Sequence, residues 1–200
     1  MGITVTHRIV LAALAALPLA GCISFAAKPP PTLFTLSAAT PPVAGERSAN
    51  AGDTITVAVP TMPQALQTMR LPVRATATSY AYLKDAQWVE PPNRLFGRLL
   101  NDVIGQRTGK VVLSSQQTQF DPGLRLTGEL AAFDLDLTQG RAAHVRYDAA
   151  IVAKDGSRIE TRRFEASRPV SSEDPVAVST ALNAAANEVA AQVADWVGQR

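Results

Sequence analysis

Between residues 124 and 138 the apolar side chains change parity. Leu124, Leu126 and Leu130 stand at even positions, Phe133, Leu135 and Leu137 at odd ones. Successive residues of a β-strand point to opposite faces, so a strictly paired strand would bury the first set and expose the second. One extra residue repairs the mismatch, and the pattern predicts a β-bulge near Ala131-Ala132. Gln139-Gly140 then turns the chain. Ala143, Val145, Tyr147, Ala149 and Ile151 alternate with His144, Arg146 and Asp148. Asp155-Gly156 is a strong hairpin signal, and residues 158–166 return as a third strand. The expectation is an antiparallel meander with one wet face.

Such a sheet needs an apolar cover for its dry face. Asp174-Pro175 pairs an N-cap with a first-turn proline. Val178, Leu182, Ala185, Val189, Val193 and Trp196 follow as one stripe at helical spacing, predicting a helix to about Gly198. Pro91-Pro92-Asn93 opens another helix, with Leu95, Phe96, Leu99, Leu100, Val103 and Ile104 as its apolar face and Gly105 as the expected cap. Thr32–Leu36, Thr54–Val59 and Val111–Leu113 read as strands and residues 37–52 as a loop. Pro63–Pro72 reads as irregular. A hairpin over 76–82 and 86–89 is expected to turn at Lys84-Asp85. The fold class is α+β: an antiparallel or mixed sheet with two main helices packed on one face.

The N-terminal segment has a separate logic. His7 and Arg8 precede an uncharged apolar run, Ile9 to Leu17, of signal-peptide length and too short to span a bilayer. Leu19-Ala20-Gly21-Cys22 then resembles the bacterial lipobox, and Cys22 is the only cysteine of 200 residues. The expected organisation is a signal peptide at 1–21, a lipidated, proline-rich tether at 22–31 and a single periplasmic domain at 32–200. Two or more acyl chains on Cys22 would anchor the protein stably to a membrane. Ile23 at the second position, in place of Asp, favours the outer membrane. From Ile23 to Pro31 the tether reaches at most roughly 30 Å, which holds the domain close to its own membrane.

Several function classes lose support. Net charge is +2, falling to +1 without Arg8, which argues against nucleic acid as a partner. After the leader only His144 remains as a histidine, and the chain has no G-x-S-x-G and no phosphate loop. Asp134, Asp136 and Asp148 read as solvated charges on the wet strand face. No catalytic residue, cofactor or metal site is expected. Tyr80, Tyr82 and Trp88 could anchor a partner, but the favoured reading has them pin a hairpin onto the helix at Leu95–Ile104.

The ordered set of Cys22, TLFTL, ITVAVPTMP and RLPVRATATSYAYLKDAQWVEPPNRLFGRLL resembles the ABC-type transport auxiliary lipoproteins, the PqiC-like family. Within it, Pro60 and Pro63, Arg70 or Arg74, and Tyr80, Tyr82 and Trp88 carry the likeness. The resemblance implies a role beside MCE-type lipid transport machinery, with an MCE-domain periplasmic protein as partner and docking or stabilisation as the task. The alternative is an outer-membrane assembly or chaperone lipoprotein acting on a β-barrel. Arg146, Arg158 and the loop at 37–52 are the candidate partner contacts, and homo-oligomer formation is left open.

Cys22→Ala should block lipidation. Fractionation and intact mass should then show an unprocessed or mislocalised chain; normal outer-membrane fractionation with no mass change would contradict the lipobox reading.

Overall fold

The computed structural model describes residues 32–42, 45, 48–50, 53–114, 123–153 and 156–200. Cys22, the leader, the tether, part of the loop at 37–52 and Asp155 lie outside the described residues. The strands are β1 (Leu33–Phe34), β2 (Thr54–Val57), β3 (Arg70–Thr76), β4 (Ser79–Trp88), β5 (Val111–Ser114), β6 (Leu124–Asp136), β7 (Ala142–Val152) and β8 (Ile159–Pro169). The helices are α1 (Pro92–Thr108) and α2 (Pro175–Gly198).

β6 organises the sheet. One edge pairs antiparallel with β7 along its whole length, and β7 pairs antiparallel with β8. The other edge pairs in parallel with two strands in turn: β2 beside Leu124–Leu126, then β3 beside Leu135–Asp136. β5 extends the sheet outward from β2, and β1 from β4, both in parallel. The sheet is therefore mixed and eight-stranded among the described residues, and the fold is α+β. The bulge is where the parity switch puts it. Leu130 faces Tyr147 and Ala132 faces Arg146, so Ala131 is the extra residue. Leu126, Leu130, Phe133 and Leu135 consequently all reach 0% exposure on one face. Gly128 admits the opposite strand closely: a Cβ there would lie 2.4 Å from the Asp148 carbonyl oxygen and 2.8 Å from the Tyr147 ring.

Both helices cover that face. Tyr147 and Phe164 are cross-strand neighbours and share it. Phe96 of α1 meets the Tyr147 ring at 5.3 Å, and Trp196 of α2 meets Phe164 at 5.5 Å. Asp174 caps α2 by accepting from the Val176 and Ala177 amides, both at 3.0 Å. Every residue of the α2 stripe is buried, and each large apolar side chain so placed contributes about 1.5–3 kcal/mol.

Three expectations are corrected. The hairpin turns at Ala77-Thr78, closed by Thr76 Oγ1 and Ser79 Oγ at 2.7 Å, and not at Lys84-Asp85. Those two residues form an irregularity inside β4, with Asp85 at φ 55°. The register there runs from Arg70 opposite Gln87 to Pro72 opposite Tyr82. Pro72 has no N–H to donate to a ladder, and β4 loops outward beside it. Residues 70–72, expected to be irregular, are strand, with Arg70 paired to Gln87 and Pro72 to Tyr82. α1 continues past Gly105, which is buried within it, to a left-handed cap at Gly109 with φ 70°. Two glycines four residues apart both look like caps; the backbone conformation marks the real one.

Val189→Asp places an unpaired charge where exposure is 0%. It should cost several kcal/mol, read as a lowered melting temperature by circular dichroism. An unchanged melt would mean that the stripe is not the core of the fold.

Candidate functional site

The helix-free face of the meander was expected to be wet, and at its centre it is not. Asp134 has 0% exposure and His144 has 7%. The two are cross-strand partners, and Ser167 continues the row on β8. Arg74 of β3 and Tyr80 of β4 close over them. Arg74 Nη2 donates to Asp134 Oδ2 at 3.0 Å and the Tyr80 hydroxyl donates to the same oxygen at 3.1 Å. Arg74 Nε also contacts the Tyr80 oxygen at 3.2 Å. On the other side, His144 Nε2 lies 2.6 Å from Glu165 Oε1. His144 Nδ1 and Asp134 Oδ1, 3.8 Å apart, have no hydrogen-bond partner.

Burial pushes the Asp134 carboxyl up from its ordinary value; the charge and hydrogen bonds of Arg74, then the Tyr80 hydroxyl, pull it back only in part. Burial likewise raises the Tyr80 phenol, with the Asp134 charge adding to it. The network ties the β3–β4 hairpin to β6, β7 and β8. A buried carboxylate of this kind specifies an arrangement more than it adds net stability. Asp136, nearer the surface, is held below its usual range by bonds from Thr138, against a burial effect that works the other way.

Beside this network the hairpin carries exposed aromatic and cationic groups. Arg70 lies over the Tyr82 ring at 4.6 Å and Arg74 over Tyr80 at 5.6 Å. Tyr80 and Tyr82 are 40% and 36% exposed, so they do not pin the hairpin to α1. Trp88 alone of the three is core, set against Phe133 at 5.4 Å and Phe34 at 6.4 Å. A separate open groove of about 550 Å³ runs between Val59–Met62 and the start of α1 at Pro91–Arg94.

The structure does not bring the expected contact residues together. Arg146 is half-buried in mid-strand opposite Glu165, 3.9 Å from the Asp148 carboxylate. Arg158 is exposed near the far end of the β7–β8 ladder, paired to Glu160 at 2.7 Å. The described start of the 37–52 loop is held by α2: Asn183 Oδ1 accepts from the Ser37 amide at 3.0 Å and Asn187 Oδ1 from that of Ala39 at 2.7 Å. The Arg74–Tyr80–Asp134–His144–Glu165 cluster is what sequence reading missed, since it took Asp134 as solvated and placed His144 only on the polar strand face. One signal was available: a turn centred on Gln139 sets Asp134 opposite His144, and both Asp134 neighbours are apolar.

Chemically the site offers ion pairing and aromatic contact. Among the described residues no three His, Cys, Asp or Glu side chains are grouped to hold a metal, and no helix is long and apolar enough to cross a membrane.

Comparison with known families decides the identity of the chain. Residues 34–194 match the model of the ABC-type transport auxiliary lipoprotein component. The chain belongs to this family. Of solved structures, a Xanthomonas campestris protein of the DUF330 family is 20% identical. It aligns over 83% of this chain and 94% of its own, with a TM-score of 0.67. An uncharacterised protein is 12% identical over 73% of this chain and 93% of its own, with a TM-score of 0.62. These likenesses establish the fold of the auxiliary lipoprotein. No curated protein sequence matches it.

Arg74→Ala removes the main partner of a buried carboxylate and should cost about 3 kcal/mol. The Asp134 midpoint, followed by carbon-detected NMR, should lie above the usual value of about 3.9 and rise further in Arg74→Ala. An acid with a raised folded pKa loses stability as pH climbs from its unfolded value through the folded one. Asp134 should therefore favour the fold most at low pH. A midpoint at or below the ordinary value would contradict the burial argument.

Proposed function

We propose that this auxiliary lipoprotein is a non-catalytic docking or stabilising component of an MCE-type intermembrane lipid transport system. It would be held on the periplasmic face of the outer membrane by acylated Cys22. In this reading residues 1–21 are removed, 22–31 form the tether and 32–200 the working domain. The family match over residues 34–194 carries the proposal. The site supports it, because its chemistry is that of recognition. Arginine and tyrosine, the side-chain types enriched where protein contacts are strongest, are exposed together on the β3–β4 hairpin. A tether of roughly 30 Å confines the domain to its own membrane, so the periplasm-spanning partner must come to it. Arg146 and Arg158 remain the proposed contacts, as two separate patches.

The soluble domain, residues 32–200, should co-purify with the periplasmic part of an MCE protein encoded nearby. Charge reversal of Arg146 and Arg158 should weaken that capture while leaving the circular dichroism spectrum intact. Recovery of a β-barrel alone would overturn the proposal in favour of an assembly role.

A further inference from the structure

Eight large apolar or aromatic side chains stay exposed among the described residues, and five of them gather at one corner of the sheet. Leu33 lies on β1, Tyr80 and Tyr82 lie on β4, and Met69 and Val89 adjoin β3 and β4. The pairings bring them together. Leu33 stands beside Gln87 and Gln87 beside Arg70, so one row crosses β1, β4 and β3 within about 10 Å. In the next row the Trp88 amide donates to the Met69 carbonyl at 2.6 Å, and the Val89 amide to the Phe34 carbonyl at 2.8 Å. Phe34 and Trp88 pack into the core, so by alternation Leu33, Gln87 and Arg70 turn to the helix-free face.

The same corner carries free cations. Arg70, over the Tyr82 ring, and Lys84, in the outward bulge of β4, are exposed and enter no ion pair among the described residues. Glu90 is taken by Arg98, and Asp134 and Asp136 face Arg74, which leaves Asp85 as the acid set against the two. Apolar groups, tyrosine and long cations side by side suit the boundary of a bilayer. The apolar groups enter the acyl region, tyrosine sits among the headgroups, and Arg and Lys extend to the phosphates.

Where the chain enters the domain says what covers this corner. The described residues begin at Thr32, next to Leu33 of β1. The inference rests on the reading that Cys22 is acylated. Residues 22–31 then join the bilayer to this corner and reach no farther than roughly 30 Å. So short a leash turns a weak surface contact into an intramolecular one, at high effective concentration. β8 stands five strands from β1 along the sheet, about 24 Å away. Arg146 and Arg158, the contacts proposed for a protein partner, belong to that opposite end and stay clear of the bilayer.

We propose that the corner formed by Leu33, Met69, Arg70, Tyr82, Lys84 and Val89 lies on the phospholipid surface that holds the anchor, and so fixes the orientation of the domain. The test uses the full-length acylated lipoprotein in vesicles of phosphatidylethanolamine and phosphatidylglycerol with a nitroxide quencher on their acyl chains. Acylation occupies Cys22, so a single introduced cysteine is the one free thiol for a fluorescent label. Leu33→Cys and Val89→Cys report from the corner, and Ile159→Cys, exposed on β8, reports from the far end. The labels at 33 and 89 should lose about half their emission or more, as groups about 5–10 Å deep in the boundary would. The label at 159 should keep its emission. Arg70→Glu/Lys84→Glu should at least halve the quenching at 33 while the chain still floats with the vesicles. Equal quenching at 33, 89 and 159 in a floating chain would overturn the proposal and leave the anchor standing, as would full quenching in the charge variant. A chain that does not float would overturn the anchor and this inference with it. Labels that answer to added MCE protein and ignore the lipid quencher would make the corner a protein contact, contrary to the proposal.

Discussion

A single inserted residue governs this fold. Ala131 is the bulge that lets β6 turn Leu126 and Leu130 before it, and Phe133 and Leu135 after it, toward the same pair of helices. Without it, half of a thirteen-residue strand would present its apolar side chains to the helix-free face. The same insertion fixes what lies on that other face. It places Asp134 opposite His144 and within reach of Arg74 and Tyr80. It also sets Phe133 under Trp88. The core and the polar network are thus two consequences of one local irregularity.

β6 can do this because both of its edges are used. One takes β7 in a long antiparallel ladder; the other is shared between β2 and β3, which approach it in parallel. The chain reaches β3 through Pro60–Pro63 and the short 3-10 turn at Gln64–Leu66. Thr61 keeps contact with β6 across the gap: its amide donates to the Gly128 carbonyl at 3.0 Å, and its carbonyl accepts from the Leu130 amide at 2.8 Å. The Arg74–Asp134 bond then ties the β3–β4 hairpin down at the far end. This leaves the sheet edges and the hairpin's Arg–Tyr surface facing outward, while the interior is closed.

The elements with strong periodicity were legible in the residues. The meander, its bulge, the two helices and the Asp174 cap follow from parity, spacing and turn chemistry. The losses came where local signals competed. Lys84-Asp85 looks like a turn, yet it lies between the Arg70–Gln87 and Pro72–Tyr82 pairs and is a bulge in β4. Gly105 looks like a cap, but the helix ends at Gly109. The parallel pairings of β1, β2 and β3 join residues far apart in the chain, and no local pattern encodes them. Asp134 was taken as solvated, and His144 placed on the wet face, because strand alternation says which face a residue is on, and not what lies over it. Arg74 and Tyr80 arrive from another part of the chain.

Deletion of Ala131 removes the bulge and nothing else. Near-UV circular dichroism reports the packing of Trp88 on Phe133. The shortened chain should lose this signal and its cooperative melt, because Phe133 and Leu135 must then leave the core or break their register with β7. A shortened chain with a native near-UV spectrum and an unchanged melt would contradict this role of the bulge.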